Sequence, residues 1–474
     1  MIHVRLSILP VIFLLIAESR VSAQESAVIT LEDCIAMALE NNPGLEGSRL
    51  DAETARVNFR LAAGDMMPGI NSSFDLGINE GRSIDPFTND YINEKLTFSN
   101  IGLNLNALVF NGFSQYNAMR RQRLNLKAAD LEYEAARQAL SLDVTLAFLQ
   151  AVNARELVRL TEGRIGSTQV QVDRLKTLFD QETGNPAAFR DLQGQYASDR
   201  ATLAQARNAL TAAVLELERL INASSPIDPA RLGILMDFEP YALSAEEVYG
   251  QALAKLDAIE ARRLRLEAAR KGVASARGQF TPEISFFAGL RSNYSSLANM
   301  FTQTGTEVVD TGDFVTVGGQ NYPVQSENSI FQADRIEFQD QLDNNLNTFY
   351  GVSARIPLFN GLQAHNNLKQ QKIERSRAEV ELSQAELRFR QAIRGAHADM
   401  ETALERVRVL EEQVTAYEES FRINEIRFNN GVSNSTEYIV SKNNLDNARV
   451  ALANAQYEYL LRVRVLEYYR GEAL

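Results

Sequence analysis

Cysteine is nearly absent from this sequence. It occurs once, at Cys34, so no intrachain disulfide can form. The preceding Leu31-Glu32-Asp33 is too charged for a lipid-attachment signal, and a small buried apolar side chain is the expected role of Cys34. Histidine is as scarce, with three in all. His365 follows a predicted strand, His397 falls in mid-helix, and neither has a cysteine or second histidine at metal-ligand spacing. There is no Gly-x-Ser-x-Gly and no phosphate-cradling Gly-Lys-Ser/Thr loop. No catalytic residue, metal or cofactor is expected, and hence no enzymatic activity. After the N-terminal segment no stretch has the ~20 consecutive apolar residues of a membrane-spanning helix, which leaves strands or surface attachment as routes to a membrane. The formal net charge of −13 argues against nucleic acid as a partner.

Residues 1–23 read as a Sec-type signal. His3 and Arg5 precede the apolar run Leu6 to Ala17, and Val21-Ser22-Ala23 supplies the small residues of a cleavage site, which puts the mature start at Gln24. The segment holds Arg5, Arg20 and Glu18, so its removal leaves the chain one unit more negative.

Proline is missing from two long stretches, and those stretches organise the chain. One follows Phe110-Asn111-Gly112 and runs to Asn185; the other follows Phe359-Asn360-Gly361 and runs to the C-terminus. A single helix from Phe113 to about Phe179 would be roughly 100 Å long. The duplication extends further. Leu31-Glu32-Asp33-Cys34-Ile35-Ala36-Met37-Ala38-Leu39 reads as a short helix, and Asn41-Asn42-Pro43 as a cap with proline opening a second. Adding 214 to each number reaches Ala245-Glu246-Glu247-Val248-Tyr249-Gly250-Gln251-Ala252-Leu253, with Glu53 meeting Glu267, Gly64 meeting Gly278 and Pro68 meeting Pro282. From Phe110 the offset becomes 249, taking Phe189 onto Tyr438 and Leu217 onto Leu466. The repeats are therefore 24–221 and 244–474, joined by a proline-bearing linker, 222–243.

Between the helices the hydrophobic period changes to two. Ile70, Ser72, Phe74, Leu76 and Ile78 alternate with Asn71, Ser73, Asp75, Gly77 and Asn79, and Ile101, Leu103, Leu105, Ala107 and Val109 alternate with Asn100, Gly102, Asn104 and Asn106. In the second repeat Ile284, Phe286, Ala288 and Leu290 alternate with Ser285, Gly289 and Arg291, and Val352, Ala354, Ile356 and Leu358 with Ser353 and Arg355. Four strands are predicted, near 69–79, 97–110, 283–291 and 347–359. The change of offset leaves 35 extra residues in the second repeat, within the Ser/Asn/Gly/Asp-rich Ser292 to Asn345, read as a long loop. Glu80 to Lys95 is its shorter counterpart.

In the long helix Leu124, Ala128, Leu131, Ala135, Gln138, Leu142, Thr145, Leu149 and Val152 have coiled-coil spacing. Residues Ala139 to Val152 are apolar nearly all round, so more than one face should be buried. The helix is expected to end at Thr183-Gly184-Asn185-Pro186, with Gly184 as terminator and Asn-Pro starting the return helix. The second repeat turns at Asn429-Asn430-Gly431.

Four strands, each with one apolar and one polar face, cannot stand alone in lipid, because their open edges would leave backbone groups unpaired. Closure needs several copies, eight strands from two or twelve from three, both even. A water-soluble sheet covering a core is the other reading of such strands. The whole mature chain, from Leu31 to Arg470, resembles the TolC-type outer-membrane channel proteins of Gram-negative bacteria. The resemblance is carried by the paired short-helix starts, the two Phe-Asn-Gly junctions and the tip segment Arg427-Phe428-Asn429-Asn430-Gly431. It implies an α+β membrane protein built as a duplicated helix-strand-strand-long helix-helix repeat. It also implies a homotrimer with a twelve-stranded β-barrel in outer-membrane lipid, continued by a periplasmic α-helical barrel.

The implied function is an exit duct for tripartite efflux or type I secretion, recruited by an inner-membrane transporter through a periplasmic adaptor. The residues around Thr183, Gly184, Asn185 and Pro186, and around Asn430, Gly431, Val432 and Ser433, would then meet the adaptor at the helical tips. Asn104, Asn106, Arg291 and Arg355 would line the barrel lumen. Family members commonly carry a basic residue two after the tip glycine and acidic residues six and nine after it. Those positions here are Ser433, Glu437 and Val440, which leaves Glu437 as the gate candidate. Its other reading is a helix cap with Asn434. A soluble periplasmic coiled-coil adaptor or scaffold would share the signal and the heptads, but not the alternating strands.

Overall fold

The protein is described here from a computed structural model covering residues 28–85, 89–233 and 240–472. The signal segment, the start at Gln24 and part of the linker lie outside the described residues.

The two repeats give matched series of elements. The first holds α1 (Leu31–Asn41), α2 (Pro43–Gly64), β1 (Gly69–Asn79), the short β2 (Arg82–Ile84) and β3 (Tyr91–Asn93), β4 (Leu96–Phe110), α3 (Ser114–Asp180) and α4 (Pro186–Ile221). The second holds α5 (Ala245–Lys255), α6 (Asp257–Gly278), β5 (Glu283–Ser295), β6 (Asn299–Val317), β7 (Gln320–Arg335), α7 (Phe338–Asn344), β8 (Asn347–Arg355), α8 (Gln363–Asn429) and α9 (Ser435–Tyr469). Lengths agree in pairs: 11 residues for α1 and α5, 22 for α2 and α6, and 67 for α3 and α8. The starts agree in chemistry too. Thr30 and Asp33 form a capping box on α1, and Ser244 and Glu247 form one on α5. Asn42 Oδ1 accepts from the Gly44 and Leu45 amides, capping α2 behind Pro43.

Compactness does not follow the repeats. One unit gathers residues 48–134 and 257–388, the other the remainder, so each takes parts of both. In the first unit the strand order is β1-β4-β5-β8, all antiparallel, and the central β4–β5 pairing joins the two repeats. This is the sheet expected from the alternation. Register puts Ile70 beside Leu105, Leu103 beside Leu290 and Ala288 beside Tyr350 on one face, and Asn71 beside Asn104 and Gly102 beside Arg291 on the other. The apolar face is uncovered, with Ile70, Phe74, Leu76, Tyr350 and Val352 all more than half exposed. Among the described residues, β1 and β8 each keep one unpaired edge.

Two expectations fail here. The last strand ends at Arg355, not 359, because its partner β5 begins at Glu283, opposite Arg355, and Pro357 has no amide hydrogen to donate. The segment Ser292 to Asn345 is not a loop. It extends β5 to Ser295, forms a two-stranded ribbon of β6 and β7, and closes with α7. Its polar, glycine-bearing composition hid the strands, since neither face of the ribbon is uniformly apolar and bulges at Gln303/Gly305 and Asp310/Phe314 break the alternation.

The Phe-Asn-Gly junctions acquire a physical reason. Gly112 and Phe113 are both left-handed (φ 63° and 60°), as are Gly361 and Leu362 (64° and 65°). Two consecutive residues of that kind turn the chain sharply from strand to helix, and a Cβ at Gly112 would overlap the Thr281 side chain.

In the other unit, α3 is enclosed where the sequence is apolar all round: Leu140, Val144, Ala147, Phe148, Leu149, Ala151 and Val152 are all buried. Cys34 is fully buried, and desolvation holds its thiol up at about 11. His397 lies against the Leu243 carbonyl, Nε2 to oxygen 3.0 Å.

Candidate functional site: helical tips and polar sheet face

The turn between α3 and α4 departs from its expected chemistry. The left-handed residue after α3 is Glu182 (φ 58°), with its amide donating to Phe179 O (3.0 Å) and that of Thr183 to Leu178 O (3.1 Å), a Schellman closure. Gly184 is required for another reason. Its amide donates to Leu178 O (2.9 Å), and a Cβ there would lie 2.9 Å from Phe179 N and 3.0 Å from Leu178 C. Asn185 caps α4 through Oδ1 and the Ala187 amide (3.0 Å), with Pro186 as the first helical residue.

In the α8–α9 turn glycine takes the expected place. Gly431 (φ 71°) donates to Phe428 O (3.1 Å) and Val432 to Arg427 O (2.8 Å). Asn430 Nδ2 donates back to Ile426 O, and Val432 is exposed. Asn434 Oδ1 caps α9 by accepting from the Glu437 amide (2.9 Å). The Glu437 carboxylate accepts from Ser433 Oγ (2.6 Å) and Asn434 Nδ2 (3.3 Å). Thus Ser433 and Glu437 close a small ring within one turn, and Val440 is exposed on α9.

The two turns are fastened together. Val172, Phe189, Leu192, Phe428 and Tyr438 form one buried cluster, in which Phe428 stacks on Tyr438 (4.7 Å, 23°); the more exposed Phe179 stacks on Phe189 (5.4 Å, 25°). Arg174 donates to the side chain and carbonyl of Asn429, and Ser435 Oγ to Asp191 Oδ2 (2.9 Å). Phe189 and Tyr438, matched by the 249-residue offset, meet in this cluster. Burial, with the Glu425, Asp446 and Asp199 carboxylates nearby, pushes the Tyr438 hydroxyl's pKa upward.

Sequence reasoning missed a buried ionic network across α3, α4 and α9. Asp199, fully buried, accepts from Arg164 Nε (2.7 Å), Thr168 Oγ1 (2.6 Å) and Gln195 Nε2 (2.7 Å). Lys442, its side chain only 2% exposed, donates to Asp446 (2.6 Å) and stands 3.7 Å from Asp199. Arg164 also donates to Asn443 (2.6 Å) and lies 3.5 Å from Asp446. Two cations face two anions, the neutral balance that a buried cluster requires. The only local signal was the Lys442/Asp446 spacing of four.

On the sheet, Asn104, Asn106, Arg291 and Arg355 share the polar face; Arg355 sits directly opposite Glu283. A hollow of about 420 Å³ opens between Ser73, Asn100, Asn104, Arg291 and Asn293. Three rings on this face cover cross-strand glycines, Phe98 over Gly77, Phe349 over Gly289 and Phe287 over Gly351, and the Arg291 guanidinium lies 4.3 Å from the Phe349 ring centre. These aromatics fill the space that glycine leaves in a strand.

Known proteins place this arrangement. The chain is 23% identical over 456 residues to the outer membrane efflux protein BepC of Brucella suis, covering 94% of this chain and 86% of that one. It is 21% identical over 427 residues to the outer membrane protein TolC of Escherichia coli, covering 89% and 78%. The crystal structure of the outer membrane protein VceC of Vibrio cholerae superimposes with a TM-score of 0.73 at 16% identity, over 94% of this chain and 96% of that one. The architecture is that of the trimeric outer-membrane channels, in which four-stranded sheets close a twelve-stranded barrel continued by periplasmic helices. A soluble adaptor is thereby set aside. Residues 34–223 and 248–472 match the outer membrane efflux protein family, and the chain belongs to it.

Proposed function

We propose that this chain forms, as a homotrimer, the outer-membrane exit duct of a tripartite assembly with a periplasmic adaptor and an inner-membrane transporter. The observation that carries the reading is the β1-β4-β5-β8 sheet. One face presents exposed apolar side chains, the other Asn104, Asn106, Arg291 and Arg355, and both edges are open. Only closure with further copies satisfies those edges in lipid, and closure leaves the polar row lining the lumen. Relatives bear names for efflux and for alkaline protease secretion, so efflux and protein secretion are both apt roles for the duct. The repeats 24–221 and 244–474, with 222–243 between them, are read as two copies of one ancestral unit.

The test is a matched pair. Leu105→Arg on the apolar face should oppose assembly by about 2–4 kcal/mol at mid-depth, whereas Asn104→Arg should assemble and change conductance. Equal tolerance of both would mean that the faces are misassigned. A trimer mass in detergent is expected; a stable monomer would refute closure.

At the tips, the turns holding Thr183 to Pro186 and Asn430 to Ser433 are the proposed adaptor contacts. Glu437 is engaged within its own turn, which supports the cap, while three copies around one axis would also set three carboxylates at a constriction. Planar-bilayer recordings of Glu437→Gln and Glu437→Ala separate the roles. A gate loses cation selectivity in both variants; a pure cap leaves permeation untouched.

A further inference from the structure

We infer that the β6–β7 ribbons of the three copies pack against one another outside the barrel, so that this long hairpin is a subunit interface in its own right. The inference rests on the trimeric reading above.

The ribbon is firmly rooted. Gln341 of α7, fully buried, accepts from the Ser295 amide (2.9 Å) and donates to the carbonyls of Ser295 (3.0 Å) and Ile336 (2.8 Å). Asn345 donates to Asn293 O (2.8 Å), Ser292 to Leu342 O (2.7 Å), and the Tyr294 and Phe338 rings lie 5.0 Å apart. Among the described residues, β6 and β7 pack extensively only against each other, and a lone two-stranded hairpin is marginal in water.

Its apolar side chains show what it lacks. Pairing of Phe314 with Pro323 and Phe301 with Ala333 puts Phe301, Val308, Phe314 and Phe331 on one face, each more than half exposed. Pairing of Val315 with Tyr322 and Val317 with Gln320 puts Val315, Val317 and Tyr322 on the other, also more than half exposed. A ribbon lying on the barrel mouth would need one such face. Two are what a closed three-fold ring demands, because each copy offers one face to the next and the other to the preceding copy.

Reach and position agree. β6 has 19 residues, roughly 60 Å at ~3.3 Å each. A twelve-stranded barrel with strands ~4.8 Å apart and tilted ~40° is roughly 24 Å across between backbones, so three roots stand roughly 20 Å apart. The ribbon emerges between β5 and β8, and β8 is the strand whose free edge the neighbouring copy must complete. The surface thus continues the barrel interface. Glu307, Asp310, Asp313, Glu327 and Asp334 outnumber Arg335, so ribbon contact should tighten as ionic strength rises.

The test places a photo-crosslinking phenylalanine analogue at Phe314 on one face and at Tyr322 on the other, in the full chain in intact cells. Covalent dimers and trimers of this chain are expected from both positions. In a separate variant, replacing 300–334 by a short Gly-Ser link should leave the trimer assembled but dissociating at lower temperature in detergent. A trimer mass with no protein adduct from either position, or adducts to lipid alone, would overturn the ribbon interface. A monomer mass would overturn the trimeric reading beneath it.

Discussion

Lys442→Met is the most informative single change in the helical unit, because the charges it leaves behind have unequal alternatives. Asp199 keeps three donors at 2.6–2.7 Å, from Arg164, Thr168 and Gln195. Asp446 loses its 2.6 Å ammonium and, among the described residues, keeps the Arg164 guanidinium at 3.5 Å. Removing one partner of a buried pair costs about 3–5 kcal/mol, but the Asp446 side chain is 16% exposed and can recover some hydration. The expected loss is therefore at the low end, about 3 kcal/mol. Asp199→Asn should cost more, since Arg164 and Lys442 would then share one carboxylate and Asp199 is fully buried, with Lys442 nearly so. The decisive variant is Lys442→Met with Asp446→Leu, which deletes a cation and an anion together. Its cost should fall well short of the sum of the two single changes, with a coupling of roughly 1–3 kcal/mol. Urea unfolding of the detergent-solubilised protein followed by circular dichroism at the helical minimum measures all four proteins. Additive losses, or a loss below about 1 kcal/mol for Lys442→Met, would show that the network is hydrated and that its charges act independently.

Three further outcomes follow from local geometry. Glu182→Gly should stabilise the α3–α4 turn by about 1 kcal/mol, because Glu182 holds a left-handed backbone that costs an L-residue about that much; slower hydrogen exchange at Thr183 and Gly184 reports it, and unchanged exchange refutes the strain. Tyr438→Phe should leave stability unchanged or raise it by up to ~1 kcal/mol, since the hydroxyl is buried with no hydrogen-bond partner among the described residues and its counterpart Phe189 carries no hydroxyl; a thermal melt showing a clear loss would mean that the hydroxyl is satisfied. Cys34, with its thiol at about 11, is un-ionised at pH 8 and enclosed, so maleimide should label it only after denaturation; prompt labelling of the folded protein would contradict its burial.

The repeats, strand faces and helix starts were legible because each depends on neighbours in sequence. Thr30 with Asp33, Asn42 with Pro43, and the alternation from Ile101 to Val109 are local patterns, and they survive in three dimensions. The tertiary features were not. Asp199 and Lys442 are separated by the whole second repeat's strands and long helix, and each alone reads as an ordinary solvated helix charge. Gly184 drew attention as a helix terminator, while the residue in the left-handed conformation, Glu182, has no compositional mark. The ribbon was unreadable for a third reason. A strand pair with apolar residues on both faces has no single period to detect, and polar composition then dominates.

The equal length of α3 and α8, 67 residues each, bears on how such a chain can change. Adding one residue to a helix turns everything beyond it through about 100°, so a seam aligned at one end would point the wrong way at the other. Only additions near a whole number of turns keep phase, and they would displace one tip along its partner by about 10 Å per seven residues. A hairpin tip has no such constraint, since two residues added at its turn lengthen both strands and disturb nothing already paired. The two copies of the repeat differ by 35 residues between their sheet strands and by none in their long helices. Within one polypeptide, helix phase fixes the length of the long helices, and the β6–β7 hairpin is where length is free to vary.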